Sequence, residues 1–139
     1  MDGTFSIKSI LFSLSGVLIY AANHKEDKVR INSSSGGAFY ALANYVLDKK
    51  GVVIGAAYEK NGTDVAHIII NNKNDLWQLQ KSKYAPSSLA GIHIKELVNH
   101  ENLVLFSGVP CQIQGIKKQF AEFQQNTNSI RALDGPNSF

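Results

Sequence analysis

Three segments of this 139-residue chain carry residue types that can do chemistry. The first is Ser33-Ser34-Ser35-Gly36-Gly37, which runs directly into an apolar-periodic stretch from Ala38 to Asp48. Hydroxyls and glycines at a helix start make an anion cradle. Backbone N–H groups point outward, the helix dipole is positive there, and no bulky side chain blocks approach. The same residues also suit a simpler role, a serine N-cap followed by a glycine turn. The sequence pattern alone leaves both readings open.

The second segment is Ser107-Gly108-Val109-Pro110-Cys111-Gln112. Gly108 permits a tight turn, and Pro110 has the fixed φ that suits the first turn of a helix. Cys111 then lies near a helix N-terminus, where the dipole favours a thiolate. It reads as a nucleophile, a redox thiol or a metal ligand, or else as a small apolar packing residue. A nucleophile needs a histidine base within reach. The candidates are His24, His67, His93 and His100, none of them spaced from an Asp or Glu so as to suggest an orienting pair. The third segment, Lys81-Ser82-Lys83-Tyr84, offers two cations and a ring for contact with a phosphate-bearing ligand, or reads as a solvated loop.

The elements that must position these segments follow from hydrophobic period. Val17–Ala22 reads as a first strand, and Asn23–Asn32 as a charged connector. Phe39, Leu42, Ala43, Val46 and Leu47 give one apolar helical face, and Gly51 after Lys49-Lys50 signals that helix's end. Val52–Tyr58 and Val65–Ile70 read as strands, and Asn61-Gly62 between them allows an antiparallel hairpin. Asn74 or Asp75 would cap a short helix through Leu79. Lys81–Ser88 reads as a loop, Leu89–Asn99 as a helix, Leu103–Phe106 as a strand and Cys111–Phe123 as a helix. Strands alternating with helices predict a three-layer α/β fold: a mostly parallel sheet with flanking helices and room for one antiparallel hairpin. Ligands collect at the carboxyl ends of strands in such sheets. Residues 1–16 receive no assignment, 17–123 form the domain, and 124–139 read as a weakly ordered tail.

Bulk properties narrow the function. Fourteen basic against eleven acidic residues give a net charge of +3, and the basic residues are scattered without interleaved aromatics, so nucleic acid is not an expected partner. The apolar run Ile10–Ala22 is too short for a membrane span, which takes about 20 residues. Asp2 and the interruptions at Ser13, Ser15 and Gly16 argue against a secretory signal. With a single cysteine, no internal disulfide forms, and a cytoplasmic location is the expectation.

Taken in order, these segments resemble the beta-subunit family of coenzyme F-420 hydrogenases and dehydrogenases. Ser33-Ser34-Ser35-Gly36-Gly37-Ala38-Phe39 resembles that family's serine–glycine loop, and Gly51–Tyr58 its following strand. Lys81-Ser82-Lys83-Tyr84 resembles its Gly-Ser-Lys-Tyr motif, with Lys81 in place of glycine. Val104–Ile113 resembles its Phe-Ser-Gly-Thr-Pro-Cys-Gln segment, with Val109 in place of threonine. The resemblance spans roughly Ile19 to Phe120. It implies an FAD-binding electron-transfer oxidoreductase subunit. On that implication Ser33, Ser34, Ser35, Gly36 and Gly37 cradle FAD phosphate or ribose, Lys83 and Tyr84 contact the cofactor, and Ser107, Gly108, Pro110, Cys111 and Gln112 line the flavin or a neighbouring cluster. No catalytic and no metal-ligating residue is assigned.

Two departures from the family qualify that implication. Its usual clustered cysteines are missing, so this chain cannot hold a 4Fe-4S cluster by itself. Its Cys-His-Gly segment after the last helix is missing too. The expectation is therefore a truncated or split member whose iron–sulfur partner subunit, or remaining portion, lies outside this chain. The alternatives are a non-catalytic fragment and a cysteine-nucleophile enzyme using Cys111.

Overall fold

The structure is a computed structural model and describes residues 5–14, 17–101 and 103–121. Strands β1 (Phe5–Leu14) and β2 (Val17–His24) form a two-stranded antiparallel sheet, with Leu14 opposite Val17 and Phe5 opposite His24. The expected strand Val17–Ala22 falls within β2, and its partner β1 lies in residues 1–16, which received no assignment from sequence. The strand expected to join the main sheet pairs with residues 5–14 instead.

The main sheet is built from β3 (Val52–Tyr58), β4 (Val65–Ile70), β5 (Ser87–Ser88) and β6 (Val104–Phe106), in the order β5-β4-β3-β6. β3 and β4 are antiparallel, as the Asn61-Gly62 signal predicts, whereas β3–β6 and β4–β5 are parallel. This is the expected α/β architecture: a curled, mostly parallel sheet with one antiparallel pair and flanking helices. The helices are α1 (Asp27–Ile31), α2 (Ala38–Asp48), α3 (Leu76–Leu79), α4 (Ile94–His100) and α5 (Pro110–Ala121). α1 lies inside the stretch expected to be a connector, and α4 is shorter than Leu89–Asn99. The expected tail at 124–139 and the expected helix end at Phe123 lie outside the described residues.

One face of the sheet carries the core. Successive side chains of a strand point to opposite faces, so Val53, Gly55 and Ala57 share a face, and register places Ile70 and Ile68 beside them. Ala43, Val46 and Leu47 of α2 and Leu76 and Leu79 of α3 are buried against Val53, Ala57 and Ile70. Gly55 lets α3 approach closely, because a Cβ there would stand 3.3 Å from Leu79 Cδ1. Burying a Leu- or Val-sized side chain contributes about 1.5–3 kcal/mol, so this cluster anchors α2 and α3, which carry two walls of the site.

Local chemistry ends the helices in ways the sequence only half announces. α2 closes with Gly51 N–H donating to Val46 O at 2.9 Å and Lys50 N–H to Leu47 O at 3.0 Å. That is a Schellman closure, but the left-handed residue is Lys50 (φ 58), not the expected Gly51. Gly51 is needed for a different reason: a Cβ there would collide with the backbone carbonyl of Leu103 just before β6. The cap before α3 is Asn72, whose side chain accepts from Asp75 N–H across a single 3-10 turn (Lys73–Asp75), rather than Asn74 or Asp75.

Candidate functional site

Ser33-Ser34-Ser35 does not cap α2. Ser33 Oγ donates to Val29 O at 2.8 Å and so finishes α1. The residue that opens α2 is Gly37, in the left-handed conformation (φ 85), and no side chain caps the helix. The first turn of a helix has no intrahelical partners for its N–H groups, and α2 has no acidic residue there. Gly36 and Gly37 hold this N-terminus against β2. The Gly36 carbonyl accepts His24 N–H at 2.6 Å. A Cβ on Gly36 would stand 2.5 Å from Ala22 O, and one on Gly37 would stand 3.1 Å from Val29 Cγ1. Of the two readings of this segment, the serine cap is therefore excluded and the open helix start remains.

The Lys81–Tyr84 segment meets this loop directly. Ser82 N–H donates to Ser34 Oγ at 2.5 Å. Lys83 Nζ donates to the carbonyls of Gln78 (2.8 Å) and Gln80 (2.5 Å), which end α3. Burial pushes the Lys83 ammonium below the usual lysine range. Lys81 adopts φ 64, a left-handed backbone that costs a side-chain-bearing residue about 1–2 kcal/mol. It stands where the motif it resembles has glycine.

The third segment closes the site from the β6 side. Ser107 N–H donates to Ile54 O at 2.9 Å, extending the β3–β6 pairing by one bond. Gly108 is required by packing: a Cβ would stand 2.7 Å from both Phe106 Cε1 and Gln112 Oε1. Gln112 uses both ends of its amide, accepting from Val109 N–H at 3.0 Å and donating to Ser87 Oγ of β5 at 3.0 Å. Pro110 takes the first position of α5, as its fixed φ predicts.

Together the three segments surround one cleft of about 400 Å³, within the range typical of small-molecule sites. Ser34, Ser35 and Gly37 line it from the α2 side, Lys83 from the α3 side, and Ser107, Gly108 and Gln112 from the β6–α5 turn. Its charged side chains are Lys81 and Lys83, with no Asp or Glu in the lining. The wall excludes five residues assigned to the site from sequence. Ser33 is turned toward α1, Gly36 backs onto β2, Tyr84 is 95 % exposed, and Pro110 and Cys111 are exposed on the first turn of α5.

His67, in sequence only one of four candidate bases and not assigned to the site, belongs to the cleft wall. It lines the cleft from β4, is only 4 % exposed, stands 3.1 Å through Nε2 from Ser107 O, and stacks on Phe106 with ring centroids 5.2 Å apart. Its place in an alternating strand gave one signal, since Val65, His67 and Ile69 share a face. Which way that face points is not written in the alternation.

Comparison with family models matches residues 19–92 to the coenzyme F420 hydrogenase/dehydrogenase beta subunit, N-terminal model, just over half of the chain. The chain belongs to that family. The matched span contains the serine–glycine loop, β3, β4 and Lys81–Tyr84. The β6–α5 turn lies beyond it and reaches the same cleft through the β3–β6 pairing. No curated protein matches the chain. Among the described residues, no group of three or more His, Cys, Asp or Glu side chains is placed to hold a metal ion, and no helix is long and apolar enough to cross a membrane.

Proposed function

We propose that this protein is an FAD-binding electron-transfer subunit, related to the beta subunits of F420 hydrogenases and dehydrogenases, and that the cleft receives the phosphate-bearing part of the flavin. The observation that carries the reading is the uncapped N-terminus of α2 opening into a cleft whose charged wall residues are both lysines. An anion is favoured at a helix N-terminus by the unpaired N–H groups and the dipole.

The residues present fit such a group. Gly37 and Ala38 bring backbone to the cleft without bulk, Ser34 and Ser35 offer hydroxyls, and Lys81 adds an exposed cation. Lys83 holds the loop through two carbonyls, and its side chain lines the cleft wall. Bound FAD would supply one- and two-electron redox chemistry.

An iron–sulfur cluster does not fit this chain. It has one cysteine, Cys111, on the exposed first turn of α5, whereas a 4Fe-4S cluster takes four thiolates. Electron exchange with the flavin would therefore run to a partner subunit, or to sequence outside this chain, that carries the cluster.

The test is equilibrium dialysis of the purified protein against FAD, ADP and riboflavin. FAD and ADP should be retained and riboflavin should not, since the pyrophosphate is the recognised part. Retention of riboflavin without ADP would show that the cleft reads the ring instead.

A further inference from the structure

We propose that His67 is a positioning residue of the cleft: its Nε2–H holds the carbonyl of Ser107 and so sets where the Gly108–Gln112 wall stands relative to α2. Because this sharpens the flavin reading, it rests in part on the cleft being the ligand site.

The hydrogen bond fixes the tautomer. A backbone carbonyl only accepts, so the 3.1 Å contact requires the proton on Nε2, and in the neutral ring Nδ1 is then the lone-pair nitrogen. That Nδ1 is buried and has no hydrogen-bond partner. A buried, unsatisfied polar atom costs about 1–3 kcal/mol. A phenylalanine or leucine would fill this interior position without that cost, so the imidazole is explained by what its other nitrogen does. What Nε2 does is hold the first residue of the turn that leads into α5.

The surroundings make that bond effective. The imidazole and the Phe106 ring lie 5.2 Å apart and nearly parallel, at 3°. Gly108 closes over the same Phe106 ring, where a Cβ would stand 2.7 Å away. The Phe106 ring that His67 stacks on is thus also the one Gly108 packs against. The turn is held from β3 through Ser107 N–H to Ile54 O, from β5 through Gln112 and Ser87, and from β4 through His67. With the β4 hold removed, Ser107 keeps its N–H bond but its carbonyl is free to rotate, and the peptide that leads into Gly108 rotates with it.

Two substitutions separate the hydrogen bond from the ring. His67→Gln puts an amide N–H near the Nε2 position and removes the stacking; His67→Phe keeps the stacking and removes the donor. Amide hydrogen exchange reads the turn directly, without any ligand. The Val109 and Gln112 amides, which are bonded within the turn beyond the freed peptide, should exchange about fivefold faster in His67→Phe than in wild type, the loss of about one hydrogen bond, and at close to the wild-type rate in His67→Gln. The FAD dissociation constant should follow the same order, rising about fivefold in His67→Phe and little in His67→Gln. Wild-type exchange in His67→Phe, or equally fast exchange in both variants, would overturn the proposal.

If wild-type protein does not retain FAD, the flavin reading fails while the exchange comparison still decides the role of His67. If either variant fails to fold, the imidazole 15N shifts of the unsubstituted protein decide it: a protonated Nε2 with a bare Nδ1 supports the proposal, and the opposite tautomer contradicts it.

Discussion

Ser34 and Ser82 stand 48 positions apart in sequence, and the hydroxyl of one accepts the backbone N–H of the other at 2.5 Å. This bond joins the loop that opens α2 to the loop that follows α3, so two motifs that look independent in sequence form one rim. Ser34→Ala removes the acceptor. A single neutral hydrogen bond contributes about 0.5–1.5 kcal/mol, so FAD affinity should fall about two- to tenfold while far-UV circular dichroism stays unchanged. An unchanged dissociation constant would show that the rim does not depend on this contact.

Lys81 pays for a backbone better suited to glycine. With φ 64 and an exposed side chain, Lys81→Gly relieves the left-handed conformation at little cost in contacts. Urea unfolding should show a gain of up to about 1 kcal/mol. The same change removes a cation from the cleft wall, so anion binding should weaken at low salt and differ less from wild type at high salt. Stability and affinity moving in opposite directions is the expected signature.

Lys83 makes a pH prediction whose sign is fixed by desolvation. Burial lowers its folded-state pKa below the unfolded one. Between the lowered value and the usual lysine value, the unfolded chain binds more protons than the folded chain. Stability from this group therefore rises as pH increases through that window and is lowest below it, where the buried ammonium is charged. Lys83→Met abolishes this rise and removes the donors to Gln78 O and Gln80 O, which should cost about 1–2 kcal/mol at neutral pH. Urea melts of both proteins across the alkaline range measure the difference; parallel curves would contradict the assignment.

Gly108 tests the β6–α5 wall. In Gly108→Ala the new Cβ meets the Phe106 ring, which cannot swing away while it stacks on His67. Overpacking of this kind costs about 1–3 kcal/mol, read as a lower thermal midpoint together with weaker FAD retention. A thermal midpoint at the wild-type value would mean that the turn has more room than the contacts imply.

Much of the fold was legible because its signals are local. The runs Val52–Tyr58 and Val65–Ile70 with Asn61-Gly62 between them specify a hairpin, and the apolar face of α2 follows from helical spacing. What the sequence hid depends on long-range pairing. The apolar stretch before Ala22 gives no sign that it belongs to a separate two-stranded sheet. Ser33 looks the same as Ser34 and Ser35 in sequence, yet it is spent on Val29 O. The contact between His67 and the Ser107 carbonyl exists only because the sheet brings β6 within reach of β4. The αL residue at Lys50, where Gly51 was the obvious candidate, shows that the glycine was required by the neighbouring Leu103 carbonyl rather than by its own φ.

The central claim is that the open N-terminus of α2, with Lys81 and Lys83 beside it, binds the pyrophosphate of FAD. Equilibrium dialysis against FAD measures this most directly, with wild type, Ser34→Ala and Lys83→Met compared under the same conditions. Retention of one FAD per chain by wild type, weakened in both variants, is the predicted result. A folded wild-type protein that retains no FAD, or variants that retain it as tightly as wild type, would contradict the account.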